Sequence, residues 1–262
     1  MTQTQKIIKY IAIAFGFFLI ISIFSSIFMF LNFFDTDSTD REITTLVTVN
    51  DNILELDINV VATELIINNG NNLTVETNNK YITYKQAGRK LEIEERKHNF
   101  INNKNNKLII TLPSNIELDI FELESGAGKI NIDRINTKKA DIELGAGKVE
   151  IDELNVLNSL NLDGGAGEFI INNGSINNLD LDMGVGKFTI NSKLLGNVDI
   201  DAGVGELNIN LLDSINAYSI ITNKGLGSIK LNGENITNVG NGINRINIDG
   251  GVGSINITTI ER

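Results

Sequence analysis

The sequence predicts an all-β protein: a single-domain parallel β-solenoid that follows one N-terminal transmembrane helix. Three observations carry this prediction. The first is a long apolar run near the N-terminus that contains no charged residue. The second is a Gly-x-Gly step that recurs about every 19 residues, and the third is a short alternating apolar and polar segment beside each step. Repetition at a fixed period indicates stacked structural units, and alternation indicates half-buried strands.

Residues 10–34 form the predicted transmembrane helix. The run has 25 residues without a charge and holds 8 of the chain's 12 phenylalanines. At about 1.5 Å per residue it is roughly 37 Å long, enough to cross a hydrocarbon core of about 30 Å. Lys6 and Lys9 precede the run, and acidic residues follow it. Because positive charge stays in the cytoplasm, we expect a single-pass protein of the cell membrane, with residues 1–9 cytoplasmic and the rest outside.

The exported part is predicted to consist of a polar stem, residues 35–51, and a solenoid, residues 52–262. Residues 52–120 read as irregular coils, and residues 121–262 as regular Gly-x-Gly coils. The Gly-x-Gly steps stand at Gly126/Gly128, Gly145/Gly147, Gly165/Gly167, Gly184/Gly186, Gly203/Gly205, Gly225/Gly227 and Gly251/Gly253. Glycine at a corner indicates positive φ or a backbone approach too close for a Cβ.

Aligning the repeats places apolar residues in three inward columns. These are Leu123, Ile142, Leu162, Leu181, Ile200, Thr222, Ile248; Ile130, Val149, Phe169, Phe188, Leu207, Ile229, Ile255; and Ile132, Ile151, Ile171, Ile190, Ile209, Leu231, Ile257. Only Thr222 is polar. Asn or Asp follows the third column in six repeats and is typical of a second corner. We therefore expect two strands and two corners per coil, with successive repeats stacked in sequence order about 4.8 Å apart.

An outward acidic column is the candidate functional site. Its carboxylates are Glu124, Glu143, Asp163, Asp182, Asp201 and Asp249, with Asn223 between the last two in sequence. Like charges on neighbouring strands repel one another. One interpretation is a solvated face that Lys129, Lys148 and Lys187 partly neutralise. The other is a functional strip that binds divalent cations weakly or docks a basic partner.

Several other functions are excluded or disfavoured by the residues. The Gly-Lys pairs at Gly128 and Gly147 lack the earlier glycine and the following Ser or Thr of a phosphate loop. The single histidine, His98, excludes a multi-histidine metal site, and the chain has no cysteine. We therefore predict no catalytic residues, no cofactor and no metal. Beyond residue 34 the net charge is −13, which repels nucleic acid.

The chain resembles the bacterial putative-adhesin family of β-strand-repeat proteins, a domain of unknown function related to toastrack domains. The resemblance rests on the N-terminal anchor, on Leu-Ile-Ile-Thr-Leu-Pro-Ser at 108–114, and on repeats of the type Ser-Gly-Ala-Gly-Lys-Ile-Asn-Ile at 125–132. It covers roughly residues 50–262. It implies a right-handed β-solenoid at the cell surface, and it supplies no active-site residues.

The function predicted from these observations is that of a non-catalytic surface binding module of the adhesin type. The expected partners are the membrane, through residues 10–34, and an envelope protein or a glycan. One alternative is an accessory protein of a cell-envelope stress response, since related domains occur in such proteins. Another is a carboxylate-based enzyme acting on glycans, because parallel β-helices can carry that chemistry.

Overall fold

The computed structural model describes residues 42–49, 53–96 and 105–260. The predicted transmembrane helix, the cytoplasmic N-terminus and the first part of the predicted stem lie outside these ranges. Within them, no helix combines the length and the hydrophobicity needed to span a bilayer. The described residues form an all-β structure in which twenty strands belong to one hydrogen-bonded sheet.

The first eight strands include one very long strand. They are β1 (Thr44–Val49), β2 (Glu55–Val60), β3 (Glu64–Gly70), β4 (Leu73–Thr77), β5 (Ile82–Ala87), β6 (Lys90–Glu95), β7 (Lys107–Pro113) and β8 (Leu118–Asp163). The 46 residues of β8 run through the corners of the first regular coils without a break in strand geometry. Most inward positions along it are buried leucine, isoleucine, valine or phenylalanine.

The remaining strands are short, and one 3₁₀ turn, Ile215–Ala217, interrupts them. They are β9 (Ala166–Ile171), β10 (Gly174–Asn177), β11 (Leu179–Asp182), β12 (Val185–Leu195), β13 (Asn197–Asp201), β14 (Val204–Leu211), β15 (Tyr218–Asn223), β16 (Leu226–Leu231), β17 (Glu234–Asn235), β18 (Asn238–Val239), β19 (Asn244–Asp249) and β20 (Val252–Thr259).

Neighbouring coils pair in parallel and in register, which confirms the parallel solenoid. Gly167 pairs with Gly147 on one side and with Gly186 on the other, so glycine corners stack on glycine corners. The three predicted apolar columns stack in the same way; for example, Phe188 lies between Phe169 and Leu207. Burial of these columns, at roughly 25 cal/mol per Å² of apolar surface, is the main source of stability in a chain without cysteine.

Close backbone contact explains the glycine corners. A Cβ on Gly145 would lie 1.9 Å from the carbonyl oxygen of Gly126, and a Cβ on Gly147 would lie 1.9 Å from that of Gly128. Gly147 also has a φ of 151°, which L-residues rarely adopt. At Gly164 the close neighbour is a side chain, because a Cβ there would lie 2.2 Å from the ring of Phe188. Glycine therefore lets the coils stack at normal β spacing.

Each regular coil has three sides rather than the two that we predicted. The first side leads to the glycine corner, the second side follows that corner, and a short third side follows the Asn/Asp corner. On the third side β10 pairs in parallel with Leu154–Val156 of β8 and with the end of β12. The prediction of two strands per coil is wrong because the third-side strands are short and their inward residues include Gly174 and Ser192, which break the apolar pattern.

The coils at the C-terminal end do not stack in sequence order, contrary to our expectation. Strand β13 pairs with β19, and β14 pairs with β20, so the last repeat follows the coil that contains Asp201. The other edges of β19 and β20 pair with β15 and β16. The last coil of the chain is therefore inserted between two coils that are adjacent in sequence.

The N-terminal end has the same kind of exchange. Strand β2 lies between β6 and β8, and β3 lies between β7 and β8, so the first coil of the chain is second in the stack. Antiparallel strands extend this end: β5 pairs with β6, β4 with β7, and β1 with β4. Since β1 covers residues 44–49, the predicted polar stem does not extend to residue 51. The described residues form nine stacked coils, roughly 40 Å long at about 4.8 Å per coil.

Candidate functional site

The candidate acidic residues lie on the outer surface of the first side. Strand β11, with the sequence Leu-Asp-Leu-Asp, alternates buried and exposed residues, and β13 has the same alternation. Because side chains of a strand point alternately to its two faces, every second residue of these strands faces outward. The sequence places an acid at most of these outward positions, so the first side presents carboxylates in two columns. We call this surface the acidic face.

One column of the acidic face contains the six predicted carboxylates, and it is more continuous than the sequence order suggests. Insertion of the last coil places Asp249 in register with Asp201, and it moves Asn223 to the end of the stack beyond Asp249. The six predicted carboxylates therefore occupy six consecutive coils. From the N-terminal end of the stack the column reads Glu94, Asn59, Glu124, Glu143, Asp163, Asp182, Asp201, Asp249, Asn223.

A second outward column runs beside the first. It reads Glu92, Asp57, Glu122, Asp141, Asn161, Asp180, Asp199, Asn247, Ile221. Sequence reasoning missed Asp57, Glu92 and Glu94, because the irregular coils have no Gly-x-Gly step that would align them with the later repeats. Their strands do alternate, and this alternation was the signal that could have found them. Asp57, Glu122, Glu124, Asp141 and Glu143 line a shallow depression of about 230 Å³.

Among the described residues, lysine neutralises the acidic face near its N-terminal end. Near the N-terminal end of the stack the Lys90 ammonium lies 3.0 Å from the Asp57 carboxylate and 3.6 Å from that of Glu122. Its hydrogen bond to Asp57, followed by the surrounding carboxylates, raises the pKa of Lys90. None of the ion pairs that the described residues form includes any of the six predicted carboxylates.

Crowding of like charges is greatest at Asp201. The pKa of its carboxyl is raised, first by partial desolvation and then by the charges of Asp182 and Asp249 in the same column. Asp180 and Asp199 in the second column act in the same direction. Some of the repulsion elsewhere is relieved by amides, since Asn247 Nδ2 donates to Asp199 Oδ1 at 2.7 Å.

The lysines that follow the glycine corners belong to the second side. Lys148 pairs with Glu168 at 3.1 Å and with Glu150 at 3.8 Å, and Lys187 pairs with Glu206 at 3.7 Å. These glutamates lie on the same side as the lysines. Lys148 and Lys187 therefore neutralise second-side carboxylates, and the expectation that they relieve the acidic face is not met.

Possible metal ligands can be compared with the prediction only within the described residues. Among residues 42–49, 53–96 and 105–260, no group of three or more His, Cys, Asp or Glu side chains is arranged to hold a metal ion. His98, the one histidine of the chain, lies outside those ranges. The six carboxylates form a line along the stack, one per coil, instead of converging on a point.

Known proteins resemble this chain at the level of a family model and of several solved structures. A family model described as Toastrack DUF4097 matches residues 53–244. A "putative cell adhesion protein" from Clostridium sporogenes is 20% identical over 84% of this chain and 100% of its own, with a TM-score of 0.33. A "putative adhesin" from Bacteroides fragilis is 14% identical over 83% of this chain and 98% of its own, with a TM-score of 0.44.

A third solved structure, a "putative lipid binding protein" from Parabacteroides distasonis, is 14% identical over 84% of this chain and 97% of its own, with a TM-score of 0.36. A search of curated proteins finds no match. The family model covers both irregular and regular coils, including most of the acidic face.

Proposed function

Because the chain belongs to the Toastrack DUF4097 family, we propose that it is a non-catalytic, adhesin-like binding module whose acidic face docks a basic partner. In this proposal residues 10–34 anchor it in the cell membrane and the solenoid is extracytoplasmic. The observation that carries the proposal is the line of six carboxylates on six consecutive coils, outside the ion pairs of the described residues. A linear array at about 4.8 Å spacing attracts an extended cationic surface and can bind it through many weak contacts.

The shape of the acidic face supports binding more than catalysis. A carboxylate-pair glycosidase holds the scissile bond between two carboxyl groups of different protonation. On the acidic face the carboxylates are exposed and repeat along an open sheet surface, and the depression beside Glu122 and Glu143 is shallow. An envelope protein with a basic surface is therefore the partner that we propose.

Binding of a decalysine peptide to the full chain in lipid nanodiscs tests the proposal. The strip variant replaces all six carboxylates by amides: Glu124→Gln, Glu143→Gln, Asp163→Asn, Asp182→Asn, Asp201→Asn and Asp249→Asn. We expect it to weaken binding by about tenfold or more and to flatten the salt dependence, because the long-range attraction is removed.

The matched control removes the same number of charges elsewhere, through Glu117→Gln, Glu150→Gln, Asp152→Asn, Glu168→Gln, Glu206→Gln and Glu234→Gln. We expect it to bind decalysine within about threefold of the unmodified chain. Equal losses in both variants would mean that net charge alone attracts the peptide. In cells, cross-linking should recover a basic extracytoplasmic protein through the acidic face. Recovery of membrane signalling proteins alone, by both variants equally, would instead support the stress-response role.

A further inference from the structure

A groove lies on the third side of the coils, away from the acidic face. Its volume is about 300 Å³, within the range of small-ligand sites. It crosses the third sides of three successive coils, marked by Asn136, Asn155 and Asn177, and it includes Asn115 in the turn before β8. Three coils alone span roughly 10 Å along the stack. The groove can therefore hold an elongated ligand that lies parallel to the solenoid axis.

The polar groups of the groove are carboxamides held in a defined orientation. Asn155 Nδ2 donates to Asn136 Oδ1 at 3.0 Å, and Asn155 Oδ1 accepts from the backbone N–H of Ser175 at 3.1 Å. In the described part of the chain, the side chains of Asn115 and Asn177 form no hydrogen bond. A carboxamide both donates and accepts, so these two groups can bind hydroxyl or amide groups of a ligand.

The groove also has apolar surface. Val156 is buried beneath it, Ile116 is partly buried at one end, and the Leu157 side chain is 60% exposed at its edge. Leu157 is one of the few large apolar side chains exposed among the described residues. Apolar surface beside oriented amides suits a ligand that has both C–H faces and hydrogen-bonding groups.

Charge separates this groove from the acidic face. Glu117 is the one charged residue among its lining side chains, in a chain whose net charge is −11. Polyanions are repelled by that net charge, and cations are attracted more strongly to the acidic columns. From this combination we propose that the groove binds a neutral, N-acetylated oligosaccharide, whose acetamido groups pair with the asparagine amides and whose methyl and C–H surfaces pack on Leu157.

Titration of the full chain in nanodiscs with tri-N-acetylchitotriose tests this site. We expect saturable binding, and we expect Leu157→Asp to weaken it by about tenfold or more, because a charge replaces the apolar edge. The matched control is Leu226→Asp, the same substitution at another exposed leucine, 76% exposed at a glycine corner, which should leave the affinity unchanged. Asn115→Ala combined with Asn177→Ala should also weaken binding and should leave the melting temperature unchanged, because both amides are unpaired.

A second arm distinguishes this site from the proposed docking face. The trimer of glucosamine, which is cationic, should lose affinity in the six-residue strip variant and should keep it in Leu157→Asp. The N-acetylated trimer should show the opposite pattern. Absence of saturable binding of tri-N-acetylchitotriose, or equal binding by Leu157→Asp and the unmodified chain, would overturn the groove proposal and would leave the docking proposal standing.

Discussion

Asp201 is the residue at which the architecture imposes its charge pattern most strongly. In-register stacking places Asp182 on one side of it and Asp249 on the other. Partial desolvation and these neighbours raise the pKa of its carboxyl. Because like charges directly opposite each other on neighbouring strands are destabilising, the ionised form of Asp201 opposes folding. Residues that destabilise the fold are expected at functional surfaces, and Asp201 is such a residue within the acidic face.

The raised pKa of Asp201 predicts how stability depends on pH. A carboxyl whose pKa is higher in the folded state binds its proton more tightly there, so its contribution to stability is greatest at low pH and is lost as pH rises through the raised value. We expect Asp201→Asn to raise the melting temperature at pH 7 by about 1–3 °C. We also expect the stability advantage of the variant to shrink as the pH falls through the raised value towards 3.8, the pKa of an unperturbed aspartate, because Asp201 is then protonated.

Thermal melts of both proteins between pH 4 and pH 7 measure this effect, and the contribution of Glu153 is common to the two proteins. Hydrogen bonds from Asn155 and Arg134 lower the pKa of Glu153, so the stability that it contributes is lost only below its unfolded value of about 4.5. Glu234→Gln, on the short exposed strand β17, serves as the charge control. A variant of Asp201 that melts below the unmodified chain at pH 7 would contradict the proposed repulsion.

At the scale of the strands, Glu95 provides hydrogen-bond acceptors at one end of the stacked corners. In the regular coils, the backbone N–H at the middle of each glycine corner donates to a carbonyl of the preceding coil, as Ala127 N–H does to the carbonyl of Val61 at 2.8 Å. The corner at residues 61–63 is preceded by β6, and there the Glu95 carboxylate accepts the N–H groups of Val61 and Ala62 at 2.8 and 3.0 Å. Glu95 is 2% exposed and also accepts from Asn79 Nδ2 at 2.9 Å. The Glu95 side chain thus accepts N–H groups at a position where a backbone carbonyl accepts them in later coils.

Removal of this carboxylate should destabilise the N-terminal end. Glu95→Ala leaves two partly buried N–H groups without an acceptor, so we expect a loss of about 2–4 kcal/mol in the free energy of unfolding. Glu95→Gln keeps one acceptor oxygen and should lose less. Urea unfolding measures both, and Glu94→Ala, on the adjacent outward residue, should change stability by less than about 0.5 kcal/mol. Equal effects of Glu94→Ala and Glu95→Ala would contradict the capping role.

Sequence periodicity predicted the first two sides of each coil and missed the third. Residues such as Phe169 and Ile171 alternate with outward residues over a whole strand, so both the strand and its buried face could be inferred. The third-side strand β10 has four residues, and the inward column to which Gly174 belongs also contains Leu154 and Ser192. A strand that short, with small or polar inward residues, has no periodicity to detect. The groove proposed to bind saccharides lies on this side, so sequence reasoning could not find it.

At the scale of the whole molecule, the order of the coils could not be predicted because the repeats are nearly interchangeable. Any regular coil offers glycines at its corner and apolar residues in three columns, so several stacking orders bury similar surface. One signal was present in the sequence. Thr222 is the single polar member of the apolar columns, and the outermost coil is where such a residue costs least. There it is only partly buried, and its hydroxyl donates to the carbonyl of Thr237 at 2.6 Å.

Insertion of the last coil has a consequence for the ends of the solenoid. The final repeat is protected on both edges, by β13 and β14 below and by β15 and β16 above. In the described part of the chain, the two-residue strands β17 and β18 cover the edge of the outermost coil. An exposed sheet edge promotes unwanted pairing, and short covering strands and lysines such as Lys224 reduce it. The chain therefore places its last repeat inside the stack and closes the end with an earlier segment.

Engineered disulfides test this order directly, because the chain contains no cysteine. Asn208 and Asn256 are in register, and Asn256 Nδ2 donates to Asn208 Oδ1 at 3.0 Å, so Asn208→Cys with Asn256→Cys should cross-link under mild oxidation. Lys230 would neighbour Asn208 if the repeats stacked in sequence order. In the structure Lys230 pairs with Asn256, which puts it two coils, roughly 10 Å, from Asn208 and beyond disulfide reach.

We therefore expect Asn208→Cys with Lys230→Cys to stay reduced, and Lys230→Cys with Asn256→Cys to cross-link. Intact mass and gel mobility of the dilute protein report each bond. The three pairs share the same substituted positions, so differences in exposure or in cysteine reactivity cannot produce this pattern. Cross-linking of positions 208 and 230 without cross-linking of 208 and 256 would mean that the repeats stack in sequence order, with one coil between Asp201 and Asp249. The disulfide pattern therefore also tests whether the acidic face is continuous.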